Sequence, residues 1–72
     1  MNAQESLGTA IQIAGQGVAY WRSELERERG ELAQPALKSS VFAATRESAE
    51  HSARRLRQYE TRLRLLSQEA ML

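Results

Sequence analysis

Apolar and small residues recur every three or four positions along the first half of the chain. The steps alternate between four and three, as in the a/d seam of a helix that supercoils against a partner. One charged residue, Glu28, interrupts the seam, and Gly30 and Pro35 follow it. The pattern predicts a long first helix with the seam Leu7, Ile11, Ala14, Val18, Trp21, Leu25, Glu28 and Leu32.

The second half repeats this spacing with smaller and more polar residues in its middle. No glycine or proline follows Pro35, so one helix of roughly 35 residues is allowed. Its predicted seam is Phe42, Thr45, Ala49, Ser52, Leu56, Tyr59, Leu63, Leu66 and Ala70.

Capping and turn residues place the ends of the two helices. Asn2 and Glu5 have the spacing of a capping box at a helix start. Gly30 is typical of a position just past a helix end, and Pro35 is tolerated in a first turn. We therefore predict an all-α fold in which residues 1–72 form a single antiparallel two-helix hairpin. Helix 1 is expected at about 3–29, the turn at about 30–34 and helix 2 at about 35–70. A single continuous helix in a parallel coiled coil is the competing interpretation.

In an antiparallel hairpin, the numbers of residues that face each other have a constant sum. A sum of about 70 places large side chains opposite small ones. The predicted pairs are Leu7–Leu63, Ile11–Tyr59, Ala14–Leu56, Val18–Ser52, Trp21–Ala49 and Glu28–Phe42. The predicted core is Leu7, Ile11, Val18, Trp21, Leu25, Phe42, Ala49, Leu56, Tyr59, Leu63 and Leu66.

The chain is short for an independent core. Its 72 residues include no cysteine, so no disulfide can stabilise the pair of helices. We expect a second copy, as a homodimer, or another protein with a helical surface to complete the core.

The charge and the N-terminal residues limit the classes of function. A net charge of +1, with 26% charged residues, does not indicate a general polyanion binder. The first residues lack the basic region of a secretory signal. Residues 6–21 carry no charge, but this stretch is too short and too polar to span a membrane. A cytoplasmic protein without a membrane role is expected.

Helix 1 carries a second stripe beside its seam, formed by Ala10, Ile13, Gly17 and Tyr20. Glycine in a helix interior lowers helix stability by about 1 kcal/mol relative to alanine. The presence of Gly8, Gly15 and Gly17 in one helix therefore requires an explanation. One interpretation is close approach of another helix, with Ile13 and Tyr20 as anchors. The other is that this half of helix 1 is frayed in the free protein.

Three apolar residues of helix 2 are expected near the same open end of the hairpin, namely Leu65, Met71 and Leu72.

Arginines concentrate in helix 2, where only Glu60 opposes Arg54, Arg55, Arg57, Arg62 and Arg64. The predicted register places this cluster toward the open end, away from the glutamates near the turn. The arginines could border an apolar interface and select an acidic partner, contact nucleic-acid phosphates, or form a solvated face. Nucleic acid is the weaker prediction because the net charge is low.

The sequence offers no catalytic constellation, cofactor motif or complete metal site. His51 is the sole histidine, with Glu47 one turn before it. With no cysteine or aspartate, a full ligand set would need several copies of the chain. We therefore expect no enzyme activity, no bound cofactor and no metal.

The hairpin layout and the turn Gly30-Glu31-Leu32-Ala33-Gln34-Pro35 resemble the small YscE/SsaE-type co-chaperones of bacterial type III secretion. The resemblance implies a helical hairpin that joins a helical-repeat chaperone and keeps needle subunits from polymerising. An alternative is a phage- or mobile-element-encoded inhibitor, an anti-activator that covers the interaction surface of a host regulator. In both cases the chain is expected to mask or chaperone a partner protein through one set of residues, namely Ile13, Gly17, Tyr20, Arg54, Arg55, Arg57, Arg62, Arg64 and Leu65.

Overall fold

The protein is an antiparallel hairpin of two long α-helices, in a computed structural model that describes the backbone of residues 3–72 and the side chains of residues 6–72. Helix α1 spans Ala3–Leu32 and helix α2 spans Ser39–Ala70. The two pack along their length in a rod of 53 × 15 × 14 Å. The predicted hairpin is confirmed, and the continuous helix is wrong. The proposed cap of Asn2 and Glu5 lies outside the described residues and side chains.

The turn lies slightly later than the sequence predicts. Helix α1 continues through Gly30, and no glycine among residues 3–72 has the positive φ that a left-handed cap requires. The helix ends at Leu32 because Gln34, the residue before Pro35, is disfavoured in the helical region. Residues 33–38 form the turn. Pro35 therefore lies in the turn and not in the first turn of α2.

The buried interface is narrow. Its apolar part consists of Ala14, Val18, Leu25 and Ala49, and its polar part of Glu28, Thr45 and Ser52. Two helices can cover only one side of each seam residue, so the larger predicted core residues remain half-buried. These are Leu7, Ile11, Trp21, Leu56, Tyr59, Leu63 and Leu66.

The register differs from the predicted one by about one heptad. Gly17 lies under Tyr59, Trp21 packs on His51, and Glu28 bonds to Ser52. The residue numbers of these three pairs sum to between 72 and 80, whereas the sequence-based register requires about 70. Because both seams repeat every seven residues, a shift of seven keeps the same faces together. The predicted pairing of Glu28 with Phe42 is therefore wrong.

The shifted register leaves the beginning of α2 beyond the end of α1. Leu32, the last residue of α1, lies level with about residue 45 of α2, which begins at Ser39. The first six residues of α2 therefore project by about 9 Å at 1.5 Å per residue. Phe42, predicted as core, lies on this projection and is 41% exposed, and neighbouring Val41 is 45% exposed.

Candidate protein-interaction site

One long side of the hairpin carries a continuous group of aromatic rings and cations. The ring of Trp21 meets those of Tyr20 and His51 edge-on, with centroids 4.9 and 5.5 Å apart. Arg55 lies over Trp21 at 5.7 Å and over Tyr59 at 5.6 Å. We call this surface the aromatic face, and it comprises Tyr20, Trp21, His51, Arg55, Tyr59 and Arg62.

Gly17 lies next to this face but is covered by the Tyr59 ring of the same chain. A Cβ atom built on Gly17 would fall 2.7 Å from Cγ of Tyr59 and closer to other carbons of that ring. Real side chains do not approach so closely, so only glycine allows Tyr59 to lie against α1. The sequence predicts Gly17 as a contact for a partner helix, whereas its open side is occupied by Tyr59. The glycine thus serves the hairpin's own packing.

Gly8 and Gly15 differ from Gly17 in having no neighbour. A Cβ at either position would meet nothing within 4 Å. Their spacing of seven places them on one flank of α1. Packing between α1 and α2 thus gives no reason for either glycine.

Two arginines of the predicted cluster are held by stacking on the aromatic face. Arg62 lies over Tyr59 at 5.4 Å, so this ring carries the guanidinium groups of both Arg55 and Arg62. Arg55 also donates a hydrogen bond to Gln58 at 3.1 Å. Among the side chains of residues 6–72, no carboxylate forms a salt bridge with either arginine. A stacked guanidinium keeps donors at its edge for a further acceptor.

Three large side chains on or beside the aromatic face remain in solvent. Ile13 is 56% exposed, Tyr20 58% and Leu65 56%. Ile13 and Tyr20 are seven residues apart on the flank of α1 that includes Gly17, and Leu65 follows Arg62 by three residues on α2. In the observed register Leu65 lies level with Ile13, so the structure brings these predicted residues to one end of one face.

The remaining arginines lie on the outward side of α2. Arg54, Arg57, Gln58 and Thr61 form an open patch of exposed side chains, and Arg64 is exposed one turn further on. The register shift moves Arg54 and Arg57 away from the open end, because they lie level with residues 20–23 of α1. The expected concentration of positive charge at the open end is thus reduced: Arg54 and Arg57 lie at the middle of the rod, whereas Arg62 and Arg64 lie nearer the open end.

Met71 and Leu72 occupy the end of the chain, where they are 85% and 106% exposed. They extend past the last residue of α2, Ala70. These two apolar side chains lie at the open end of the hairpin but outside the aromatic face.

The turn half of the hairpin contains a buried glutamate, Glu28, whose partner is Ser52 and not the predicted Phe42. Glu28 is 1% exposed, and its Oε1 accepts a hydrogen bond of 2.5 Å from the Ser52 hydroxyl. Its Oε2 has no hydrogen-bond partner of standard geometry in the described part of the chain. The signal was present, since Glu28 and Ser52 are both polar residues at seam positions.

The pKa of Glu28 is set by opposing effects. Burial raises the pKa of this carboxyl group, because the charged form is poorly solvated. The hydroxyls of Ser48 and Ser52 stabilise the carboxylate, and the charges of Arg27 and His51 add to this. The stabilising effects prevail, so the pKa of Glu28 lies below its ordinary value.

Ion pairs on α1 neutralise much of the charge near the turn. Arg27 contacts Glu24 at 2.8 Å and Glu31 at 2.7 Å, on the surface of the helix. Across the hairpin, Arg22 and Glu60 approach to 3.9 Å on exposed side chains. Such exposed pairs contribute little to stability, but they leave these groups less available to a partner.

Within the described residues, no group of three or more histidine, aspartate or glutamate side chains is arranged to hold a metal ion. His51 instead packs its ring against Trp21. Neither helix, over the part of the chain that the structure describes, has the length and apolarity needed to cross a membrane.

The fold and this surface define a helical hairpin with an exposed aromatic and apolar face. Comparison with protein-family models, curated proteins and solved structures finds no match.

Proposed function

We propose that the chain is a non-enzymatic protein-binding module that masks or chaperones a partner through its aromatic face. The observation that carries this proposal is the exposure of Ile13, Tyr20 and Leu65 on one side of the hairpin. Grouped apolar side chains next to aromatic rings and arginines have the composition of protein interfaces. Binding would cover the partner's own apolar surface in turn, which is how a chaperone or an inhibitor acts.

The extended shape of the hairpin, which exposes more surface than a compact protein of its mass, supports a partner-binding function. A compact protein of 8.1 kDa would expose about 4500 Å². The hairpin exposes 5507 Å². The excess of about 1000 Å² is similar to the roughly 800 Å² that each protein buries in an interface of standard size. The rod thus has surface available for one partner of ordinary size.

The resemblance to type III secretion co-chaperones remains a prediction. The hairpin form supports it, although the turn lies at residues 33–38 and Gly30 is inside α1. An inhibitor of a regulator would use the same face, so the two proposals differ only in the identity of the partner.

The test compares tagged proteins purified from the cells in which the chain is naturally made. Ile13→Arg combined with Tyr20→Arg should remove the bound partner and leave helicity unchanged by circular dichroism. The matched control is Val41→Arg with Phe42→Arg, which places two arginines at exposed apolar positions away from the aromatic face and should keep the partner. Retention of the partner by the Ile13/Tyr20 variant would reject the proposal.

A second candidate is nucleic-acid binding by the outward side of α2. It is supported by the exposed patch of Arg54, Arg57, Gln58 and Thr61, next to Arg64. This function predicts affinity for an oligonucleotide that falls steeply as salt rises. Arg54→Ala with Arg57→Ala should then abolish binding, whereas Ile13→Arg should have no effect.

A further inference from the structure

We propose that the groove between α1 and α2 on the aromatic face binds an acidic amphipathic helix of another protein, completing a three-helix bundle. This inference rests on the proposed function and specifies the partner. The side chains that border the groove have the spacing, the charge and the orientation to receive such a helix.

The spacing of these side chains matches one face of a helix. Ile13 and Tyr20 are seven residues apart on α1, and Arg55 and Arg62 are seven residues apart on α2. Seven residues are two helical turns, or about 10.5 Å. A third helix lying along the groove would therefore present apolar residues at i and i+7 to α1. It would present acidic residues with the same spacing to α2.

The charge along the middle of this face is positive. Residues 6–21 of α1 carry no charge, so Arg55 and Arg62 determine the sign there, and Glu69, seven residues beyond Arg62 on α2, lies further toward the open end. The nearest glutamate toward the turn, Glu24, is paired with Arg27. Glu60 lies on the other flank, where it approaches Arg22. Electrostatic complementarity therefore selects a negatively charged partner.

A second copy of the chain does not fit this charge. Both arginines lie level with the middle third of α1. A two-fold axis at the centre of the face would thus bring Arg55 and Arg62 of the two copies together. Like charges facing each other in an interface are unfavourable. The acidic helix avoids this repulsion.

The two guanidinium groups are already ordered before binding. Stacking on Tyr59 holds Arg55 and Arg62 at 5.6 and 5.4 Å from the ring centre. Ordering a long side chain during association costs affinity, and this cost is smaller when the side chain is fixed in advance. Gly17 is needed for the arrangement, because it gives the Tyr59 ring its place on α1.

The probes are two synthetic 22-residue amphipathic helices, each with leucine at the a and d heptad positions. One has glutamate at the flanking positions, and the other has lysine there. Fluorescence anisotropy should show the wild-type hairpin binding the glutamate peptide about tenfold more tightly than the lysine peptide at low salt, with a smaller difference at high salt.

Charge reversal locates the effect on the aromatic face. Arg55→Glu with Arg62→Glu should invert the preference between the peptides. Arg54→Glu with Arg57→Glu makes the same charge change on the outward side of α2 and should leave the preference unchanged. Arg55→Lys with Arg62→Lys, which retains the charge, should keep the preference for glutamate and provides a second test if the reversed variant does not fold.

Several outcomes would overturn the inference. These are equal affinity for the two peptides, no binding of either, a preference that depends on Arg54 and Arg57, and tighter binding of a single-stranded oligonucleotide through Arg55 and Arg62. A wild-type dimer in sedimentation equilibrium that Ile13→Arg dissociates would assign the face to a second copy. The proposed function and the acidic helix can fail independently. If substitution of Ile13 and Tyr20 removes the natural partner but the hairpin binds both peptides equally, the function is retained and the acidic helix is rejected.

Discussion

Ser52 of α2 donates a hydrogen bond to Glu28 of α1 across the buried interface, in the turn half of the hairpin. Both residues occupy seam positions where an apolar side chain would otherwise be expected. A heptad seam by itself permits several registers that differ by seven residues. A buried polar pair favours the one register in which its members meet, so this bond contributes to the specificity of the hairpin.

Removal of the Ser52 hydroxyl should destabilise the fold. Ser52→Ala leaves Oε1 of Glu28 buried without its donor, at a cost of about 1–3 kcal/mol. Urea unfolding followed by circular dichroism measures the change. Ser23→Ala, on the exposed surface of α1, is the control and should alter stability by less than about 0.5 kcal/mol. Equal stability of the two variants would contradict a structural role for the bond.

Replacing the glutamate itself should allow the register to slip. In Glu28→Leu the polar pair is lost, and the alternative register gains a contact between the new leucine and Phe42. Spin labels at the exposed positions Ser23 and Gln68 report the register, because a slip of one heptad lengthens their separation by about 10 Å. We expect a second, longer distance in the variant. The exposed substitution Glu26→Leu should give the wild-type distance alone, and the same single distance in Glu28→Leu would exclude this role.

Stability should fall on acidification because of Glu28. Its pKa is lower in the folded protein than in the unfolded chain, since the hydroxyls of Ser48 and Ser52 stabilise the carboxylate despite its burial. The unfolded state therefore binds more protons at acidic pH. This contribution is complete above the ordinary glutamate pKa of about 4.3 and is lost as the pH falls through the folded value. Thermal unfolding between pH 3 and 7 should depend less on pH in Glu28→Gln than in the exposed control Glu47→Gln. Parallel curves would contradict the assignment.

The glycines of α1 should respond differently to alanine. Gly17→Ala places a methyl group against the Tyr59 ring, and overpacking of this kind costs about 1–3 kcal/mol. Gly15→Ala meets nothing within 4 Å, so the higher helix propensity of alanine should stabilise the protein by up to about 1 kcal/mol. Chemical denaturation gives both values. A stabilising effect of Gly17→Ala would show that the Tyr59 ring can pack on α1 even when residue 17 has a Cβ atom.

The sequence by itself determined the helices and the faces through which they meet. The alternating spacing of three and four residues between apolar positions from Leu7 to Leu32 is a local property of the chain. It determines which side of the helix is apolar. Pro35 interrupts the helical pattern regardless of the surroundings. The exposure of Ile13 and Tyr20 followed from the same geometry, since they are away from the seam.

Only the tertiary structure decided the register, and with it the use of several residues. Size complementarity favoured Glu28 opposite Phe42, but seams repeating every seven residues give nearly equivalent alternatives. The bond to Ser52 and the fit of Tyr59 on Gly17 distinguish among them. Both are contacts between distant parts of the chain, which periodicity within one helix does not contain. For the same reason the sequence could not show that Arg55 and Arg62 stack on a shared ring.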